Sequence, residues 1–167
     1  MSRQTLAAAA RHVLEVKKSR FLALAAPVDS PERALAWLRE VADRDATHNC
    51  WAYRIGPSYR SSDDGEPGGT AGRPILAAIE GQDLDQVMVV VTRWYGGINL
   101  GAGGLVRAYG GAAAECLRNA ARRELIATVV ARLECDFRLA GPVSLLLPAF
   151  LGEKLEETFD NGRLRLL

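Results

Sequence analysis

Three groups of residues in this chain are of types and spacings that could do chemistry. The first is a glycine-rich run, Gly96, Gly97, Gly101, Gly103 and Gly104, bracketed by Arg93 and Arg107. Backbone N–H groups at a glycine-rich turn into a helix can meet an anion, and arginine makes bidentate contacts with phosphate or carboxylate. The run lacks the Gly-Lys-Ser/Thr ending of a Walker motif, and no G-x-G-x-x-G stands in register. Glycines so placed can equally let a helix pack closely on a sheet. The second group is Asp63, Asp64 and Glu66, with His48 upstream. Carboxylates with an imidazole can hold a metal ion or share acid–base work, but an acidic loop can also simply stay solvated. The third is aromatic: Trp51, Tyr53, Trp94 and Tyr95 can stack on bases or fill a core. Ser61 and Ser62 lack the base-and-orienter pair of a hydrolase triad.

The elements that must position these groups follow from periodicity. Val87 to Thr92 is apolar on both alternating faces, as in a central strand buried on both sides. From Leu105 the apolar residues recur at helical spacing (Leu105, Val106, Tyr109, Ala113, Cys116, Leu117, Ala120), predicting a helix to about Arg123. His12 to Val16 and Ser19 to Ala26 read as two strands around a turn at Lys17-Lys18. Ser30 as N-cap, Pro31 at the first helical position and Glu32 in the first turn open a helix that stops near Arg44. His48 to Ile55 alternates as a strand. Gly56 to Gly72 reads as one long irregular loop, followed by a short helix, Ile75 to Glu80, opened by Pro74 and closed by Gly81. Beyond Leu125 come a strand, a helix over Gly141 to Gly152 kinked at Pro148, and a hairpin around Asn161-Gly162.

Composition narrows the classes. The 167 residues are 49% hydrophobic, with 21 basic residues against 20 acidic ones and a formal net charge of +1. That balance carries no global message about partners, although five arginines fall between Thr92 and Arg123 with Glu115 as their acidic counterpart. Cys50, Cys116 and Cys135 are odd in number and widely spaced, which fits buried, reduced thiols and a cytoplasmic chain rather than a disulfide framework. His12 and His48 are not at ligand spacing, so neither a zinc site nor any other metal or cofactor is expected. No apolar run is long enough for a signal peptide or membrane span.

Three stretches together resemble the signatures of the IMPACT/YigZ family, in matching order and spacing. They are His48-Asn49-Cys50-Trp51-Ala52-Tyr53-Arg54, the Ser62–Gly72 loop (Ser-Asp-Asp-Gly-Glu-Pro-Gly-Gly-Thr-Ala-Gly), and Val91–Gly110 with Arg93-Trp94-Tyr95-Gly96-Gly97 at its start. The resemblance covers roughly residues 15–125. It implies an α/β (α+β) fold: residues 1–125 similar to domain 2 of ribosomal protein S5, with helices on one face of a four-stranded sheet. Residues 126–167 would form a partial ferredoxin-like unit similar to a domain of the translocation factor EF-G, lacking a further helix and strand. The eukaryotic relatives regulate translation by restraining activation of the amino-acid-starvation kinase, and the bacterial members look associated with translation or nucleic acid. No catalytic residues carry over. Asn99 stands where many relatives have lysine in Gly-Gly-x-Lys-Leu-Gly, which removes a positive charge from the loop.

The expectation is therefore a non-enzymatic cytoplasmic factor of this type, contacting RNA, the ribosome or a protein of the translation machinery. The contacts would come from Arg93, Gly96, Gly97, Gly101, Gly103, Gly104 and Arg107, with the acidic loop and its neighbour (His48, Asp63, Asp64, Glu66). The alternatives are an enzyme binding a nucleotide or phosphorylated small molecule at the glycine-rich loop, by analogy with kinases built on a similar fold, and a module that binds only proteins. Two structural expectations follow. Arg93 and Arg107 should lie near the glycine-rich loop on one accessible surface. Leu164, Leu166 and Leu167 should form an exposed strand edge open to self-association, with Leu145, Leu146, Leu147, Phe150 and Leu151 packed on the small sheet.

Overall fold

The computed structural model describes residues 3–167. The chain is a mixed α/β protein whose contacts divide it into two units, residues 1–126 and 127–167. In the first unit the strands are β1 (Gln4–Leu6), β2 (Ala10–Val16), β3 (Ser19–Pro27), β4 (His48–Ile55), β5 (Ser58–Ser62), β6 (Val87–Trp94) and β7 (Arg122–Glu124). Its helices are α1 (Pro31–Val41), α2 (Gly72–Gly81) and α3 (Gly101–Arg118). A five-stranded antiparallel sheet runs in the order β2-β3-β6-β4-β5, and β1 pairs separately with β7.

The run Val87 to Val91 is fully buried and lies in the middle of that sheet, as its two-sided apolarity requires. Alternation splits its neighbours between two cores. Val87, Val89 and Val91 join Cys50, Ala52, Ala23 and Ala25 under α2 and α3, while Met88 and Val90 join Trp51 and Tyr53 under α1. Small residues on α3, Ala108, Ala112 and Ala113, let the helix lie close to the sheet, with Tyr109 buried between them.

Several fold expectations need correction. The sheet has five strands rather than four, because Ser58–Ser62 folds back on β4 from within the stretch read as irregular. Its polar, exposed residues carry no hydrophobic alternation, so backbone pairing to the sheet edge decides their state. Helices also cover both faces rather than one, since α1 sits opposite α2 and α3. Helix α3 opens at Gly101, whose φ is 74°, so Gly103 and Gly104 are helical and the loop shrinks to residues 95–100. Packing of Leu100, Leu105 and Ala108 into the core overrides the poor helix propensity of glycine.

The second unit contains β8 (Leu133–Asp136), α4 (Ala140–Leu146), β9 (Glu157–Asp160) and β10 (Arg163–Leu166), with a 3₁₀ turn over Leu147–Phe150 where Pro148 ends the α-helix. Asn161 and Gly162 adopt φ of 48° and 76°, the left-handed pair of a two-residue hairpin. The expected C-terminal edge is absent. Strand β10 is central, in the order β8-β10-β9, and Leu164 and Leu166 are buried. Self-association through that edge therefore loses its structural basis. Leu145, Leu146, Phe150 and Leu151 are exposed rather than packed on the sheet. Among the described residues no helix is long and apolar enough to cross a membrane.

Candidate functional site

The row Val87, Val89, Val91 continues at Arg93, so its side chain enters the same buried layer and the residue is only 5% exposed. Cross-strand register sets Arg93 opposite Phe21 on β3 and His48 on β4. The loop after β5 then delivers Glu66, whose side chain is 4% exposed. Arg93 Nη1 donates to Glu66 Oε1 at 2.7 Å, and the Tyr109 hydroxyl donates to the same oxygen at 2.6 Å. His48 Nε2 lies 3.7 Å from Glu66 Oε2. Its Nδ1 is 2.7 Å from the Asp64 carbonyl oxygen, and since a carbonyl only accepts, Nδ1 carries a proton in that bond. Arg93 Nη2 donates to Ser19 Oγ, which also accepts from the Gly96 N–H. Arg93 Nε is buried without a partner among the described residues.

Cys50 closes the cluster from below, its thiol donating to the Asp63 carbonyl at 2.9 Å. Burial pushes this thiol up to about 12, with Tyr109 opposing and Glu66, Asp64 and Asp63 adding to the rise. Burial likewise raises the Tyr109 hydroxyl far above its ordinary value, with Cys50 and Glu66 reinforcing it. Both groups therefore stay protonated and serve as donors. Burial of a reduced thiol matches expectation for Cys50 and Cys116, whereas Cys135 is only half-buried.

The three acidic side chains do not converge on one point. Asp64 Oδ2 accepts from the Asn49 N–H at 2.6 Å, Glu66 faces Arg93, and Asp63 accepts from the N–H groups of Gly69, Ala71 and Gly72 at 2.8–3.0 Å. Asp63 thereby closes its loop onto the start of α2. Burial acts to raise its carboxyl, but the N–H donors of Gly69, Gly72 and Ala71, with Arg73 nearby, outweigh it and hold the group below its ordinary value. A carboxylate depressed in the folded state contributes stability above its unfolded pKa of about 3.9 and loses it as pH falls through the lower folded value. Asp63→Asn should flatten acid unfolding below about pH 4. It should also cost about 1–3 kcal/mol at neutral pH, because an amide cannot accept three N–H bonds as well as a carboxylate does. Urea melts at pH 3 and pH 7 check this; equal pH dependence in variant and wild type would refute it.

The expected surface pairing of Arg93 with Arg107 is corrected. Arg93 is internal and neutralised by Glu66, whereas Arg107 is exposed on α3. The physical reason is the strand period, which puts Arg93 in line with the buried valines. Arg107 instead shares an open cleft of about 200 Å³ with Lys17, floored by Leu14, Val16, Leu100, Gly104 and Ala108. Sequence reasoning missed Lys17 and Lys18 as site residues. They occupy the hairpin turn between β2 and β3 with φ of 45° and 64°. That turn packs against Gly96, where an added Cβ would overlap the Lys18 carbonyl. Two lysines at a hairpin tip were the available signal. Of the remaining arginines in the basic stretch, Arg118 pairs with Glu115 and Arg122 donates to Gln82. Trp51 and Tyr53 stack 6.0 Å apart in the core under α1, whereas Tyr95 is 47% exposed.

Comparison with known proteins adds a family model and several relatives. The Impact N-terminal domain model matches residues 17–117. "IMPACT family member in pol 5'region" of Thermus thermophilus is 55% identical over 147 residues, 88% of this chain and 82% of that protein. "IMPACT family member YigZ" of Escherichia coli is 40% identical over 142 residues, 81% of this chain and 70% of its own. A solved structure described as "Crystal structure of an hypothetical protein" superposes with a TM-score of 0.81 at 35% identity, covering 99% of this chain and 84% of that one.

Proposed function

The chain belongs to the IMPACT family, and from that premise we propose that it is a non-enzymatic, cytoplasmic factor associated with translation, which holds RNA phosphates at the start of α3. The observation that carries this is a division of charge. Glu66 and Arg93 neutralise each other inside the first unit, while Lys17 and Arg107 line an open cleft. A carboxylate with two strong donors on one oxygen is occupied in holding the fold together. Cations at the rim of a cleft are free to meet a polyanion.

Helix α3 supports the same assignment, because its first turn has no side-chain cap and no acidic residue. Its N–H groups add to the positive field of Lys17 and Arg107. The size of the cleft favours a polymer phosphate over an enclosed nucleotide: about 200 Å³ is below the roughly 300–1,000 Å³ typical of small-molecule sites. In fold terms, the first unit is taken as similar to domain 2 of ribosomal protein S5, despite its fifth strand and its helix on the second face. The second unit is taken as partly ferredoxin-like. Its β8-α4-β9-β10 chain order with the β8-β10-β9 antiparallel sheet supports that view.

Co-sedimentation with ribosomes between about 50 and 200 mM salt tests the proposal. Binding should fall steeply with salt, and replacing Lys17 and Arg107 together by Ala should flatten the log–log slope by roughly one and a half units. No association at the lowest salt would end the proposal.

A further inference from the structure

Helices cover the sheet of the first unit more fully on one face than on the other. Helices α2 and α3 cover the first face, and Ala10, Leu14 and Val16 of β2 pack into that core. On the second face α1 lies against β4 and β6, leaving the β2–β3 half without a helix. Alternation sends Arg11, Val13 and Glu15 of β2 and Arg20, Leu22 and Leu24 of β3 to that open half. Val13 is 36% exposed, and Leu22 and Leu24 are half-buried and belong to neither core.

The charged groups around this apolar floor are of one dominant sign. Arg11 stands at one end of β2, with Lys17, Lys18 and Arg20 at the other, about 20 Å away at the rise of an extended strand. Among the described residues, no ion pair engages any of the four. Glu15 faces Arg20 across the strand pair, yet the Arg20 guanidinium lies over the Trp94 ring, 5.1 Å from its centroid. The guanidinium over the indole makes a positively charged platform beside Val13 and Leu22.

We infer that this half-sheet is a binding surface for single-stranded nucleic acid, with a few unpaired bases lying on Val13, Leu22 and the Arg20–Trp94 pair and their phosphates held by Arg11 and Lys18. The inference deepens the RNA-binding function proposed above and rests on it. The chemistry selects this occupant over two others. A duplex keeps its base faces stacked inside and would leave the apolar floor in water. An acidic peptide would satisfy the cations but offers no flat faces to the Arg20–Trp94 pair. Extended single strands supply both, as on other sheet platforms that combine aromatic and basic residues.

The experiment is fluorescence anisotropy of the full chain with a labelled, unstructured single-stranded RNA and with an RNA duplex of the same length. The variants are Val13→Glu, Arg11→Ala and the Lys17→Ala/Arg107→Ala pair, each checked by thermal melting. Val13→Glu and Arg11→Ala should each weaken single-strand binding at least about fivefold, the scale of losing one stacked base or one phosphate contact, and leave duplex binding within about twofold. The Lys17/Arg107 pair should weaken both. Arg11 is exposed, so its variant keeps the test decisive if Val13→Glu fails to fold. If both variants bind single strands like wild type while the Lys17/Arg107 pair does not, the platform is wrong and the RNA-binding function stands. If wild type binds neither RNA, both fall. Displacement of the single strand by polyglutamate as readily as by unlabelled RNA would identify an acidic peptide surface and overturn the inference.

Discussion

Replacing Glu66 by Ala should destabilise the first unit by about 3–5 kcal/mol, the usual result of stranding one member of a buried ion pair. Glu66 and Arg93 side chains are 4% and 6% exposed, so neither can turn to water when its partner is lost. The variant would leave the Arg93 guanidinium its Ser19 hydrogen bond and the faces of Phe21 and Tyr95 but no counter-charge, and Tyr109 without an acceptor. A melting temperature lower by about 10–15 °C is the corresponding shift for a chain of this size. Glu66→Gln should cost less, because its amide oxygen still accepts from Tyr109 and Arg93 while the charge is lost. Replacing Glu66 by Leu and Arg93 by Met together should recover much of the loss, since a well-packed apolar pair often matches a buried ionic one. Thermal and urea melts of these variants are the measurement. A Glu66→Ala protein melting within about 2 °C of wild type would mean that water reaches the cluster.

Gly96→Ala should be nearly as damaging, for a steric reason. The Gly96 backbone lies on the Lys17-Lys18 turn so closely that a Cβ would overlap the Lys18 carbonyl and stand 2.5 Å from the Ser19 nitrogen. Both obstacles are backbone, so no rotamer change relieves the clash. Overpacking usually costs about 1–3 kcal/mol, and rigid neighbours put this site at the upper end or beyond. The displacement would also pull Ser19 Oγ from the Gly96 N–H and from Arg93. Gly97→Ala supplies the contrast. Gly97 has φ of 85° with nothing within 4 Å of an added Cβ, so its substitution should cost only the conformational penalty of about 1–2 kcal/mol. If the two variants unfold at the same urea concentration, the close approach at Gly96 is not what fixes that residue.

Much of the local structure was legible in the chain itself. Two-sided apolarity marked β6, Ser30-Pro31 marked the start of α1, and Asn161-Gly162 marked the last hairpin, because strand period, capping and left-handed turns depend on neighbours in sequence. The three family stretches were legible too, and they contain His48, Asp63, Glu66, Arg93 and Tyr109. Their roles were not. Arg93 followed Val87, Val89 and Val91 at the same period, so its burial was implied, but a charge run next to glycines argued for the surface. Only the register of β4 on β6 and the return of the loop bring Glu66, 27 residues away, onto it. The fifth strand was invisible because an exposed edge strand is held by backbone pairing, which leaves no side-chain pattern. The lysine turn met the glycine loop through the pairing of β3 with β6. Charge on this protein is inside or outside according to which strands become neighbours, and that is decided by long-range packing rather than by any local run of residues.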